Sequence, residues 1–444
     1  MLSLGLAAGG ICFEIAQTAA AKAAESVAVI QQPVVMTTTP EVDIIDEKID
    51  LGGFALNILC DADTHASFDC DESGGETLSR LVYERNTLIC EETGMTIAAV
   101  PSEDVYNDAY SDIISGEYKY NLYSANADSL VPLLTNGLLH NVSGSKYINT
   151  AAPYFDGATM EALSINGGQY LISSAAADAH MNSYVIAYDR GKAEDLGIDV
   201  STEAFTVSKL LEYCRAAYKE DEESKSYGLY LDKEDVYPLC FGVGISFVKM
   251  SSGSVSAYPL DKLKVQLGEL GKLISESGAV LYDSDADEKD AVFFVKTLSE
   301  IDELRAGGMD VGLLPLPLLA DTDSHKTYID LSGAPLSAIP SGVPEADKAE
   351  YALSLIAEFS LGKVDAYFKD EISLGNEEDK KTLDIIFADT SNDLSSLLGY
   401  GEIGMLLADA ASGKEDRFEY EYYNRRALYE KAISIIEKRI AANK

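Results

Sequence analysis

Tryptophan is absent from the 444 residues, histidine occurs four times (65, 140, 180 and 325), and none of the six cysteines stands in a C-x-x-C pair. Zinc sites need Cys and His clustered at short spacing, so no zinc centre is expected; no cofactor is expected either, and calcium on the chain's many carboxylates is left open. Cys12, Cys60, Cys70, Cys90, Cys214 and Cys240 read as buried thiols, with pairing left open if the chain is exported. Basic residues are scarce too. Against 34 Lys and Arg stand 74 Asp and Glu, a formal charge of -40, which repels phosphates and anionic membranes and excludes nucleic acid as a main partner. The acids are spread from Asp43 to Glu437, with Glu14, Glu25 and Glu41 before them, and form no single tail, the pattern of a solvated surface. No G-x-S-x-G elbow, H-E-x-x-H or G-x-x-x-x-G-K-[ST] loop occurs, which removes the simplest nucleophilic, zinc-peptidase and nucleotide-hydrolysing readings. A carboxylate pair for glycoside hydrolysis stays open, because so many acids leave their separations in space undetermined.

What is present is an ordinary globular composition, 47% hydrophobic and 9% aromatic, in a chain long enough that two lobes are the default expectation. The opening MLSLGLAAGGICF, followed by Ala19, Ala20, Ala21, Ala23 and Ala24, is similar to a signal segment over 1 to 24. It departs from that pattern in having no Lys or Arg before the apolar stretch and in Glu14; Ile11 before Cys12 is a poor lipoprotein site. Residues 25 to 51 read as a tether.

From there the period of the apolar residues alternates between strand and helix. FALNILC (54 to 60), TIAAV (96 to 100) and YNLYSA (120 to 125) are expected strands, separated by helices over 77 to 95 and from a Ser102 cap onward. Strand, helix, strand, helix, strand implies a parallel sheet. Asn166-Gly167 marks a hairpin turn, and SYVIAYD (183 to 189), YGLYL (227 to 231), AVFFVKT and VGLLPLPL are further extended segments. Helices are expected over 207 to 221, 260 to 278, 345 to 361 and 415 to 444.

Four pieces carry a resemblance in their order and spacing: ILCDADTHASFD (58 to 69); YNLYSANADSLVPLLTNGLLHNVS (120 to 143); YVIAYDRGKAEDLGID (184 to 199) with FTVSKLLEYCRAA; and GGMDVGLLPLP (307 to 317) with YIDLSGAPLSAIPSGVPEADKAEYALSLIAEFS (328 to 360). Over residues 53 to 360 the chain resembles the family 1 extracellular solute-binding proteins of bacterial ABC importers, which include maltose and oligosaccharide binders. Where that family usually has Trp this chain has Phe205-Thr206, and its 26 tyrosines can supply the same stacking on a sugar's C–H face.

The resemblance implies an α/β, two-lobed, periplasmic-binding-protein-like (type II) fold, each lobe a mainly parallel sheet flanked by helices, with the ligand cleft between. Lobe 1 would take 52 to 182 and 316 to 360, and lobe 2 183 to 315 and 361 to 444. It also implies capture rather than catalysis, a carbohydrate ligand, ABC permease subunits as partners, a monomer, and a place outside the cytoplasmic membrane. An exported glycan-processing enzyme and a surface protein with no transport ligand remain as alternatives.

Open α/β sheets bind ligands beyond the carboxyl ends of their strands. That rule nominates Asp61, Asp63 and His65 after the first strand, and Ser124, Asn126 and Asp128 after the third. Asn182 and Tyr184 lie where the chain first crosses between lobes, Phe241, Gly242 and Gly244 follow the Cys240 segment, and Tyr328, Asp330 and Ser332 lie on the return. Asp61, Asp63, Asp69 and Asp71 do not form an EF-hand, since Ala66 stands where its loop needs glycine.

Overall fold

Short apolar runs closed by turn residues become strands, and the longer amphipathic segments between them become helices. The computed structural model describes residues 48–442 apart from 71–76, 178, 221–224, 246, 252–253, 277–278, 283–287, 322, 393, 399–402 and 414–416. The signal-like segment, Cys12 and the tether as far as residue 47 lie outside the described residues.

Strand β1 (Ala55–Cys60), helix Thr77–Thr93, β2 (Thr96–Pro101), helix Val105–Ser115, β3 (Leu122–Ala125) and helix Ala127–Thr135 follow in order. β1 pairs in parallel with both β2 and β3. The Val105–Ser115 helix is capped by Asp104, which accepts from the Asn107 N–H, and not by Ser102, whose hydroxyl instead donates to Asp108 at 2.6 Å. Gly116, at φ 70, closes it in the left-handed conformation that a side chain resists. The Asn166-Gly167 turn forms with φ of 51 and 73, but it joins only a single Ile165–Gly168 bridge instead of two full strands.

The second sheet begins at β4 (Tyr184–Asp189) and continues through β5 (Lys219–Glu220) and β6 (Lys225–Leu231). β7 (Val248–Ser251) and β8 (Ser254–Ala257) make a separate ribbon, followed by β9 (Val280–Tyr282), β10 (Ala291–Thr297) and β11 (Val311–Leu314). The six-stranded sheet has the order β11-β4-β10-β6-β5 with β9 on β6. The expected parallel character holds for β6, β9 and β10, whereas β4 runs antiparallel to both neighbours. That reversal brings the start of β4, at Tyr184, to the edge where β6, β9, β10 and β11 end. The chain then returns through β12 (Thr327–Tyr328) and β13 (Leu336–Ala338), which completes a four-stranded sheet of order β13-β3-β1-β2, and β14 (Thr390–Ser391) pairs with β12.

Strands β4, β10 and β11 of the second sheet are largely buried, which is why they read as apolar runs. On β4, Ile186 packs among Leu210, Leu239 and Leu270, while Val185 and Ala187 face Leu383 and Ile386 on the other side. The Val207–Ala217 helix lies so close to β6 that a Cβ at Gly228 would fall 2.3 Å from Cys214 Cα, so glycine is required there. Cys60, Cys214 and Cys240 are buried free thiols, and Cys70 and Cys90 are free and half-buried. Helix Glu377–Ala388 is pinned by Asp379, whose carboxylate accepts from Arg190 at 2.6 Å and from the Leu313 N–H at 3.3 Å. Burial raises the Asp379 pKa more than Arg190 lowers it, so the pair locates the helix at some cost. Leu394 and Leu397 pack into the first lobe's core, as do Tyr429, Ile433 and Ile436 of helix Phe418–Ala442, while Tyr422 packs into the second lobe's core. The terminal segment, expected wholly with the second lobe, therefore packs on both. No helix among the described residues is long and apolar enough to cross a membrane.

Candidate functional site

Parallel strands end on one edge, and the residues that follow them line the opening. On the first sheet these residues are mostly bonded to the chain's own backbone. Asp61 Oδ1 accepts from the Thr64 N–H at 2.9 Å, and its Oδ2 accepts from the Asn126 N–H at 3.1 Å, tying the end of β1 to the end of β3. Asn126 caps the next helix through the Ser129 N–H, and the Ala127 N–H donates to the Leu331 carbonyl at 3.0 Å. Asp330 Oδ1 accepts from both the N–H and the hydroxyl of Ser332, and the Asp330 N–H donates to the Asn182 carbonyl at 2.9 Å. Hydrogen bonds, together with the Asn126–Ala127 and Asp330–Leu331 peptide links, thus tie Asp61, Asn126, Asp330 and Asn182 to one another. The Asn182 side chain rests on Gly333, where a Cβ would meet its Oδ1 at 2.7 Å.

The second sheet's edge has a different chemistry. Tyr184 lies 5.7 Å from Tyr328, which stacks on Phe241 at 4.7 Å and meets the edge of Tyr237 at 5.4 Å. The Tyr237 hydroxyl lies 3.2 Å from Ser395 Oγ, and Tyr184 and Tyr237 are both partly exposed. Burial, and then the negative charge of Asp235, Asp330, Glu300 and Glu234, raises the Tyr184 phenol above its ordinary pKa, which places acids from several segments around one ring. Asp235 is pushed up to about 7, chiefly by burial. Its bond from the Asp232 N–H and the charge of Lys296 work the other way, and Asp232 and Glu300 reinforce the rise. Lys296 lies 4.0 Å from Glu300. Aromatic faces beside hydrogen-bond acceptors suit a ligand with an apolar face and several hydroxyls.

The structure brings Asn182, Tyr184, Tyr328 and Asp330 together, and Asp61 and Asn126 adjoin them. Asp63, Asp128 and Ser332 are exposed and His65 is half-buried on the same edge. Four expectations need correction. Ser124 is fully buried within β3, directly opposite Ser337 of β13 with the two Oγ atoms 3.5 Å apart, because its side chain stands on a covered face of the sheet and not beyond the strand's end. Phe241 is 1% exposed and supports Tyr328 from behind. Gly242 is buried because a Cβ would meet Leu316 Cβ at 2.8 Å; Gly244 is an exposed turn glycine whose carbonyl accepts from the Tyr258 hydroxyl. Sequence reasoning missed Glu234, Asp235, Tyr237, Lys296 and Glu300. The carboxyl-end rule, applied to YGLYL, points at DKEDVY directly after it and would have found the first three.

No family model matches the sequence, and no curated protein matches it. Solved structures match its fold. A cyclic α-maltosyl-1,6-maltose binding protein from Arthrobacter globiformis superposes with a TM-score of 0.59 at 13% identity, covering 88% of this chain and 99% of that one. A cyclo/maltodextrin-binding protein complexed with maltotetraose gives 0.57 at 17% identity over 89% and 98%, respectively. A sugar transporter structure from Rhizobium etli, in an open conformation, gives 0.57 at 14% identity over 88% and 100%. The chain has the two-lobed, periplasmic-binding-protein-like fold.

Proposed function

We propose that this chain captures a carbohydrate, an oligosaccharide by preference, in the cleft between its lobes and delivers it to an ABC importer outside the cytoplasmic membrane. The observation that carries this reading is the partly exposed pair Tyr184 and Tyr237 around Tyr328, at the carboxyl edge of the second sheet and among hydrogen-bonding acids. The rings offer flat apolar faces for a sugar's C–H surface, and Asn182, Asp235, Glu300 and Asp330 offer partners for its hydroxyls. Contacts from both lobes favour the closed form by the difference in their affinity for the two states, and the permease would read that form. The protein acts as a monomer and leaves its ligand unchanged.

Thermal unfolding against maltodextrins, other oligosaccharides, amino acids and peptides tests this. One sugar class is expected to give a saturable rise in Tm with the sugar recovered intact. No rise with any sugar would remove the reading. One observation favours an enzyme instead: a carboxyl held near 7 is suited to general acid chemistry. Release of shortened sugars, abolished in Asp235→Asn, would establish that alternative.

A further inference from the structure

A cavity of about 430 Å³ lies away from the cleft edge and is walled by the 153–158 and 173–175 segments, His180, Ile329, Lys369 and the end of helix Glu377–Ala388. None of the cleft residues lines it. Ile329 bridges to Ser183 in an extended stretch, where successive side chains point to opposite sides. Tyr328 meets Tyr184 and Tyr237 on one side of that stretch, so Ile329 opens the cavity on the other. We propose that this cavity is a second small-molecule site that takes an amine with a short apolar body.

The charges of the wall select the ligand. Asp156, Asp384 and Asp389 line the cavity against Lys369. Lys369 is already matched, 2.7 Å from Asp384 and over the Phe387 ring, whose other neighbour is the stacked His180 ring at 4.4 Å. Asp389 is paired with Lys326. Asp156 is less fully used. Both of its oxygens lie within 2.9 Å of Thr390 Oγ1, which has one proton to give, and Oδ1 also accepts from the Thr159 N–H. A carboxylate has about four lone-pair positions, so Asp156 retains acceptor capacity for an ammonium group. Phe155, Leu361 and Ile329 supply the apolar wall for the rest of such a molecule. An anion would meet uncompensated negative charge and be rejected.

Calorimetric titration of the full chain with tyramine, and with phenylacetate as a ring of similar size and opposite charge, tests the assignment. Tyramine is expected to bind saturably at one site and phenylacetate not to bind. Ala175→Phe, which fills the cavity, should abolish tyramine binding, and Asp156→Asn should weaken it by about tenfold or more, while Tyr237→Ala leaves it unchanged. Equal binding of both probes, no binding of tyramine, or a loss confined to Tyr237→Ala overturns the proposal. Should Ala175→Phe fail to fold, an unchanged tyramine affinity in folded Asp156→Asn overturns it equally. The outcome is independent of whether the cleft takes a sugar.

Discussion

The edges of the two sheets carry similar residue types and differ in what those residues are already bonded to. On the first edge Asp61 and Asn126 close helix starts, so their oxygens answer backbone N–H groups that would otherwise lack partners. On the second edge Tyr184 and Tyr237 are partly exposed beside Tyr328, and Asp235 is held near 7 among other acids. A polar residue after a strand is therefore first a cap, and a recognition surface begins where side chains exceed what the local backbone needs. Substitutions at Asp61 and Asn126 should act on stability, and those at Tyr184 and Tyr237 chiefly on affinity.

The largest separation is expected at Tyr237. Tyr237→Ala should weaken the best sugar found in the unfolding screen by about 2 kcal/mol or more, measured by calorimetry. Its packing on Phe241 and Phe247 means that some stability is lost as well. Tyr237→Phe keeps the ring and should restore most of both; affinity unchanged in the alanine variant would break the comparison.

Asp235 comes next, and its effect runs with pH. Its folded pKa, about 7, lies above the ordinary carboxylate value, so the folded state holds a proton that the unfolded state releases. Stability from this group is present below about pH 4 and is lost as pH rises through about 7. Asp235→Asn should therefore be more stable than the parent at pH 8 by about 1–2 kcal/mol, a discounted share of the full shift. The advantage should vanish near pH 4, which paired urea titrations at the two pH values would check.

On the first edge Asp61→Ala removes a cap and the link to the Asn126 N–H. It should cost about 1–2 kcal/mol of stability while calorimetry shows sugar affinity changed by no more than about twofold. A large affinity loss at unchanged Tm would show Asp61 to be a contact residue and erase the contrast between the edges.

The order of elements was legible because strand and helix periods are local properties, and the proximity of Tyr184 to Tyr328 follows from strand direction. Phe241 was misplaced because an apolar residue in a helix looks the same in sequence whether it lines a cleft or supports the ring that does. Tyr237, one turn earlier in the same helix, is the half-exposed member of the pair. Lys296 and Glu300 escaped notice because their role depends on β10 lying beside β4, a pairing between residues far apart in the chain. The division of helix Phe418–Ala442 between two cores has the same origin: Tyr422, Tyr429 and Ile433 share one helical face, and nothing local says which lobe each will meet.

The smallest expected effect is at Asp128, exposed in the first turn of helix Ala127–Thr135. A carboxylate there interacts with the positive end of the helix and contributes about 0.3–1 kcal/mol, less as salt rises. Asp128→Ala should lower stability by a few tenths of a kcal/mol at low ionic strength, nothing measurable at high salt, and sugar affinity not at all. Because Asp128 shares its edge with Asp61 but caps nothing, it separates two accounts of that edge. If affinity falls in Asp128→Ala while Asp61→Ala leaves it intact, the first edge recognises ligand through its exposed acids, and the division of labour between the two edges is wrong.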